Sequence, residues 1–324
     1  MKWKDKLLSS SLPLEYEVGR ILAKNDFCID YDYSYRRLDG YSKNEFSVDI
    51  RAGRFNPFGI KSKDTILDID FLIECKYRNP NVKWLFIPDI NPDGFENISR
   101  KGILKVFDEF SQIHSSFGSA PILCDTCLKG MEVNVQNGET HETGIVHGLN
   151  QLLYAMPHLL HRNIMNSFIS HINDVKPYII CPILVTTADL RIMNDIVSVK
   201  DIKDSKEIEG ISRSVDYLKI YSLSGPGLEN HCTKIFEELP EDHQMARFKY
   251  FKDLRKVEFN SEDDLINQKF YSDPETLIIG LSNGIINDLF SETLICSLNG
   301  FTKLLNQLKE SVNMIVEGFE DIHR

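Results

Sequence analysis

No stretch of the 324-residue chain approaches the roughly 18 consecutive apolar residues of a membrane-spanning helix, so no membrane partner is expected. Glycine and proline number only 18 and 12, too few for a collagen-like or low-complexity chain. The seven cysteines are odd in number and lack the spacing of a disulfide framework, which points to reduced thiols in a cytoplasm-like compartment. The opening MKWKDKLLSSSLPLEYE has lysines but no apolar signal-peptide core, so a cytoplasmic location is the expectation. A Gly-Lys-Ser/Thr phosphate loop is also missing, so the chain carries no recognisable nucleotide motor of its own.

What is present is a globular composition, 42% hydrophobic and 26% charged, with a net charge of −11. That charge is uneven. Residues 1–110 hold 18 Lys and Arg against 18 Asp and Glu, and the remainder holds 19 against 30. Phosphate affinity comes mainly from Lys and Arg, so the neutral front is the place to expect an anionic substrate. The acidic rear suits solvated surface or a face for another protein.

Periodicity lays out the elements. Leu14, Val18, Ile21 and Leu22 recur at helical spacing behind Pro13, predicting a helix over 14–24. Strands are expected over 27–37, over 45–52 after the Asp39-Gly40 turn, and over 65–77. Further on come a strand at 84–87, a helix at 103–110, a strand at 131–135 and a helix at 143–160. The last has a core stripe of Leu149, Leu152, Leu153, Met156 and Leu160, and Pro157 should kink it or end its regular part. The continuous apolar run 178–187 predicts a strand covered on both faces. The charged segment 200–209 reads as a loop and the best linker; 217–223 reads as a strand, 229–275 as a charged stretch, 277–281 and 293–298 as strand or helix pieces, and 301–316 as a final amphipathic helix.

The second and third strands carry the chemistry. Phe46, Val48, Ile50 and Ala52 should share one face, with Glu45, Ser47, Asp49 and Arg51 opposite. In the third strand Leu67, Ile69, Phe71, Ile73, Cys75 and Tyr77 fall on one side, and Asp68, Asp70, Leu72, Glu74 and Lys76 on a side expected to face solvent. Asp49 and Glu74 could then share one Mg²⁺, which phosphodiester hydrolysis uses to neutralise charge and activate water. The Cys75 carbonyl could add a backbone ligand, and Lys76 could orient the water or offset developing charge. Either Asp68 or Asp70 could join the metal site, although a solvated strand end suits Asp68 better.

Helix, strand, strand with Asp49, strand with Glu74-Cys75-Lys76, then helix and strand resembles the PD-(D/E)XK phosphodiesterase superfamily. The resemblance covers mainly 13–77 and, more loosely, 143–187. LEYEVGRIL is similar to the family's opening helix, where Glu15, three residues before Val18, fits the phase better than Glu17. Ser-Val precedes the acid where the namesake motif has Pro. The resemblance implies an α/β, restriction-endonuclease-like mixed central sheet flanked by helices, with an insertion after the third strand and an α/β C-terminal extension. It implies a nuclease-like core over 1–199, with its insertion at about 79–140, and an extension or partner-binding lobe over 200–324, separate or packed on the same sheet. It implies a Mg²⁺-dependent deoxyribonuclease, Mn²⁺ substituting, with Asp49, Glu74, Lys76 and Glu15 at the site. Gln151 and Tyr154, on the later helix with His147 and His158, match positions that some exonuclease branches use to steady the site, though QLLY is one residue shorter than that pattern.

Arg36, Arg37, Arg51, Arg54, Lys61, Lys63, Arg78 and Lys83 flank the proposed site and could contact a DNA backbone. The acidic total makes tight DNA binding by this chain alone doubtful, and a partner ATPase or helicase, as in bacterial anti-phage or DNA-processing assemblies, would supply it; a homo-oligomer is compatible too. An inactive scaffold or DNA-end binding module and an RNA nuclease are the alternatives. Cys124, Cys127, His141 and His147 fall within a zinc-site spacing rule, but 129–142 lacks a hydrophobic finger pattern and His147 belongs to a core helix, so structural Zn²⁺ is the weaker expectation.

Overall fold

The structure is a computed structural model that describes residues 2–38, 44–59, 67–90, 105–107, 122, 124–169, 178–221, 225–237 and 292–322. Helix α1 (Lys2–Ser9) precedes α2 (Leu12–Ala23), whose start is set by Pro13 and by Ser11 in a left-handed conformation. The Ser11 hydroxyl accepts the Tyr77 N–H, pinning the first turn of α2 to the end of the third strand. Leu14, Val18 and Leu22 are buried on one face, each contributing roughly 1.5–3 kcal/mol.

The strands are β1 (Cys28–Arg37), β2 (Asn44–Phe55), β3 (Asp68–Lys76), β4 (Val82–Pro88), β5 (Lys105–Phe107), β6 (Thr126–Asn134), β7 (Thr140–His141), β8 (Tyr178–Thr186), β9 (Asp189–Met193), β10 (Ser212–Val215), β11 (Tyr217–Tyr221) and β12 (Glu292–Ser297). They form one mixed sheet in the order β1-β2-β3-β8-β12-β11-β6-β4-β9-β10, with β5 beside β8 and β7 beside β6. β1, β2 and β3 make an antiparallel meander, and β8 joins it parallel to β3. Between β7 and β8 runs α3 (Thr143–Ile169).

Two apolar layers cover the sheet. On one side α3 and α5 (Pro226–Glu237) bury Leu149, Leu152, Leu153, Met156, Leu160, Leu228 and Cys232 against Leu72, Ile180 and Leu184. On the other side α2 and the last helix α6 (Phe301–Ile322) cover Ile50, Ile69, Phe71, Ile73 and Ile183. The structure is therefore mixed α/β, a large sheet between helices. Among the described residues no helix is long and apolar enough to cross a membrane. All seven cysteines are free thiols.

Several expectations change. Within 103–110, residues 105–107 form a strand rather than a helix: β12 covers only the second half of β8's edge, and β5 pairs with the first half. The helix expected to 160 runs on through Pro157 to Ile169. Segment 200–209 is not an open loop: α4 (Val199–Asp204), capped reciprocally by Ser198 and Asp201, and a 3₁₀ turn at Ile208–Gly210 connect β9 to its antiparallel partner β10. Residues 229–237 belong to α5, while 238–275 and 277–281 lie outside the described residues. Helix α1 carries too little periodicity to have been expected.

Candidate active site

The face of β3 expected to meet solvent is covered by α3, and Glu74 is only 1% exposed. The physical reason is the strand's position: β3 is flanked by β2 and β8 and carries Leu72 between its acids, so both faces are interior. Gly148 lets α3 come this close, since a Cβ there would stand 2.8 Å from Leu184 Cδ1 and 3.4 Å from Lys76 Cε.

The sheet opens at Asp49. Pairing of β2 with β3 begins at Ile50↔Ile73 and does not extend to Asp49 and Glu74. On the other side, Tyr31↔Ile50 and Tyr33↔Val48 flank a skipped Asp32/Asp49 position, where Asp32 is left-handed at φ 54°. Across this break β2 changes sides: Phe46 and Val48 pack under α3, whereas Ile50 and Ala52 pack under α2. The single apolar face expected over 46–52 is thus divided at the acid. β1 does the same, with Tyr33 and Tyr35 on the α3 side and Ile29 on the other.

Side chains replace the missing ladder bonds. The Cys75 N–H donates to Asp49 Oδ2 at 2.7 Å, and the Asp49 N–H donates to Glu74 Oε2 at 3.4 Å. Lys76 Nζ lies 2.5 Å from Glu74 Oε1 and donates to Gln151 Oε1 at 3.3 Å. Gln151 Nε2 in turn donates to the Ser47 carbonyl at 2.9 Å, so one amide from α3 ties the lysine to the backbone of β2. Glu15, in the first turn of α2, lies within electrostatic reach of Asp49 and Lys76. The structure thus brings Glu15, Asp49, Glu74, Lys76 and Gln151 together.

The acids outweigh the lone ammonium. Burial, then Asp49, pushes Glu74 up to about 7, against the pull of Lys76. Burial, then Asp49 and Asp32, pushes Glu15 up to about 7. Asp49 is raised too, by burial, although the Cys75 N–H and Lys76 oppose it. Carboxylates kept protonated mainly by burial, and further by neighbouring acids, are those that a cation would ionise. Hard oxygen donors suit Mg²⁺ or Mn²⁺, so the donor set fits such an ion. Among the described residues no three Asp, Glu, His or Cys side chains already stand in ligating geometry; the oxygens here hold N–H groups and Lys76 instead.

Asp32 is a neighbour that the sequence reading missed, because the regular alternation of YDYSY gives no sign of the break at this position. His147, set aside in sequence, hydrogen-bonds Gln151, and burial followed by Lys76 holds its ring below the usual histidine range. The Tyr154 ring lies 3.7 Å under the Arg37 guanidinium. His158 Nε2 donates to the Arg36 carbonyl at 2.6 Å. His231, also unforeseen, accepts the Leu38 N–H on Nδ1 and donates from Nε2 to the Tyr154 carbonyl.

Asp70, four residues from Glu74 on the same face, does not join the metal candidates. It is 2% exposed, 2.7 Å from Arg51 Nε and 3.8 Å from Arg162, and accepts the Tyr178 hydroxyl at 2.8 Å. Asp68 accepts from Asn163. The flanking cations are largely engaged: Arg51 with Asp30 and Asp70, Arg54 with Asp26, Arg78 with Glu132, and Lys83 with Asp189. Lys61 and Lys63 lie outside the described residues.

Among the described residues Cys124, Cys127, His141 and His147 do not supply three ligands to one point. Cys127 is buried in the core, and burial pushes both it and Cys124 up to about 12. His141 faces Glu139 at 4.0 Å, and His147 sits beside Gln151. Gly280, Ser282 and Gly284 form a Gly-x-Ser-x-Gly string, the spacing of a serine nucleophile elbow; that segment lies outside the described residues. Comparison with known protein families, with curated proteins and with solved structures finds no match to this chain.

Proposed function

We propose that the chain is a metal-dependent phosphodiesterase that cuts nucleic acid, DNA before RNA. The observation that carries this reading is the break at Asp49, where two strands stop pairing and their carboxylates interlock beside Lys76. An ordinary surface ion pair would leave the ladder intact. The order of α2, a three-strand antiparallel meander, α3 and a parallel β8 also resembles the restriction-endonuclease-like arrangement.

Asp49, Glu74 and Glu15 would hold the ion. The Cys75 carbonyl is a further candidate, because the N–H and C=O of one strand residue point to the same neighbouring strand, here β2. Bound Mg²⁺ would neutralise phosphate charge and activate a water. Lys76, steadied by Gln151, orients that water and offsets charge developing on the phosphate. Glu15 and Glu74, protonated up to about 7 in the metal-free fold, would release those protons when the ion binds. With its nearby cations engaged, this chain holds duplex weakly alone, and a partner ATPase or helicase in an anti-phage or DNA-processing assembly would present the substrate.

The test is incubation of labelled duplex DNA, single-stranded DNA and RNA with Mg²⁺, Mn²⁺ or EDTA. Cutting is expected with either cation and not with EDTA. Lys76→Met should lower it by about 10²–10³-fold, as removal of one transition-state donor does, while the chain still folds. Ser282→Ala should cut like the unaltered protein. Metal-dependent cutting that survives Glu74→Ala together with Lys76→Ala would refute the site.

A further inference from the structure

The exposed face of α2 leads away from this site. Leu12, Tyr16, Arg20 and Lys24 recur at steps of four and all face solvent, forming one stripe along the helix. Tyr16 is 64% exposed and follows Glu15 directly. Tyr31, 48% exposed on β1, lies across the same helix: a Cβ placed on Gly19 would come within 2.3 Å of its hydroxyl oxygen. Gly19 is three residues beyond Tyr16, and the Tyr31 hydroxyl feels both Glu15 and Tyr16, so the two tyrosines share the acid end of the stripe. Both keep a large part of their rings open to solvent, and an exposed aromatic face is a surface on which a flat group can stack.

We propose that Tyr16 and Tyr31 form a stacking platform for unpaired bases, with Arg20 and Lys24 holding the phosphates of the same single strand. This rests on the phosphodiesterase reading, since it names the substrate class of that site as single-stranded rather than duplex nucleic acid. Stacking needs a ring face, which every base offers only when unpaired, and the two cations further along α2 complement the backbone charge. The basic residues expected from sequence are mostly ion-paired, whereas this track joins the acids directly through Glu15. A single strand threading from Lys24 to Tyr16 delivers a phosphate toward Asp49 and Glu74.

Binding of fluorescein-labelled oligothymidine, oligouridine and a blunt DNA duplex, followed by anisotropy in EDTA, tests this without requiring cleavage. The single strands should bind more tightly than the duplex. Tyr16→Ala and Tyr31→Ala should each weaken single-strand binding by about tenfold, the order of one lost stacking contact. The Tyr→Phe variants should bind normally, and Gly19→Ala, which displaces Tyr31 without removing it, should behave as Tyr31→Ala. Equal binding of the oligothymidine and oligouridine supports a stacking platform indifferent to the sugar. Alanine variants that hold single strands like the unaltered protein, or that lose duplex equally, overturn it, as does absence of single-strand binding. The two readings separate cleanly. Tyrosine-dependent binding without Mg²⁺-dependent cutting sinks the phosphodiesterase and leaves the platform. Cutting that ignores both tyrosines sinks only the platform.

Discussion

One face of β3 carries two buried carboxylates four residues apart, and they are treated in opposite ways. Asp70 has two guanidinium groups, a tyrosine hydroxyl and an intact ladder around it. Glu74 has one ammonium, a second acid in Asp49 and a ladder that stops beside it. A buried charge that is fully compensated holds a fold together, and a group of acids left in excess stores a demand for positive charge. The comparison marks Asp70 as a structural charge and Glu74 as the candidate for the proposed chemistry, although sequence alternation alone presents them as equivalent.

The sharpest way to break the comparison is to exchange charge for amide at each position. Glu74→Gln should abolish cutting while leaving the protein at least as stable near pH 8. Asp70→Asn should cost on the order of 3 kcal/mol in chemical denaturation, because Arg51 loses its buried partner, while cutting per folded molecule persists. The reverse pattern would invert the assignment.

A second contrast lies in pH. Glu74 and Glu15 keep their protons up to about 7 in the fold, against an ordinary value of 4.5. Between those values the folded chain binds more protons than the unfolded chain, so these groups make stability fall as pH rises through that window and level off above it. Thermal denaturation in EDTA should show the decline, and Glu74→Gln should flatten much of it. Mg²⁺ should raise the melting temperature at pH 8 and do little at pH 5, where protons occupy the acids. A cation effect equal at both pH values would count against the site.

The smallest expected effect is at Asp32. Asp32→Asn removes an exposed charge felt by Glu15 and Asp49, worth about 1 kcal/mol at contact distance in water. Titration calorimetry should find Mn²⁺ bound several-fold more weakly, with Asp30→Asn unaffected.

Much of this was legible in the chain. The helix beginning at Leu14, the three strands after it and the leucine stripe of α3 follow from local periodicity, which acts over a few residues, whereas Asp49, Glu74, Lys76 and Gln151 were singled out through the family resemblance. What covers a strand does not. Leu72 among acids was the sole sign that β3 has no wet face, and the side change at Asp49 depends on a left-handed Asp32 on another strand. β5 depends on how much of β8's edge β12 leaves open, a matter settled nearly two hundred residues away. The ion pairs that remove Arg51, Arg78 and Lys83 from any DNA track are likewise long-range.

The break at Asp49 has one more consequence. Its amide proton is held by the Glu74 carboxylate, so a single backbone resonance inside an otherwise regular sheet reports directly on the state of that side chain, without any label being introduced.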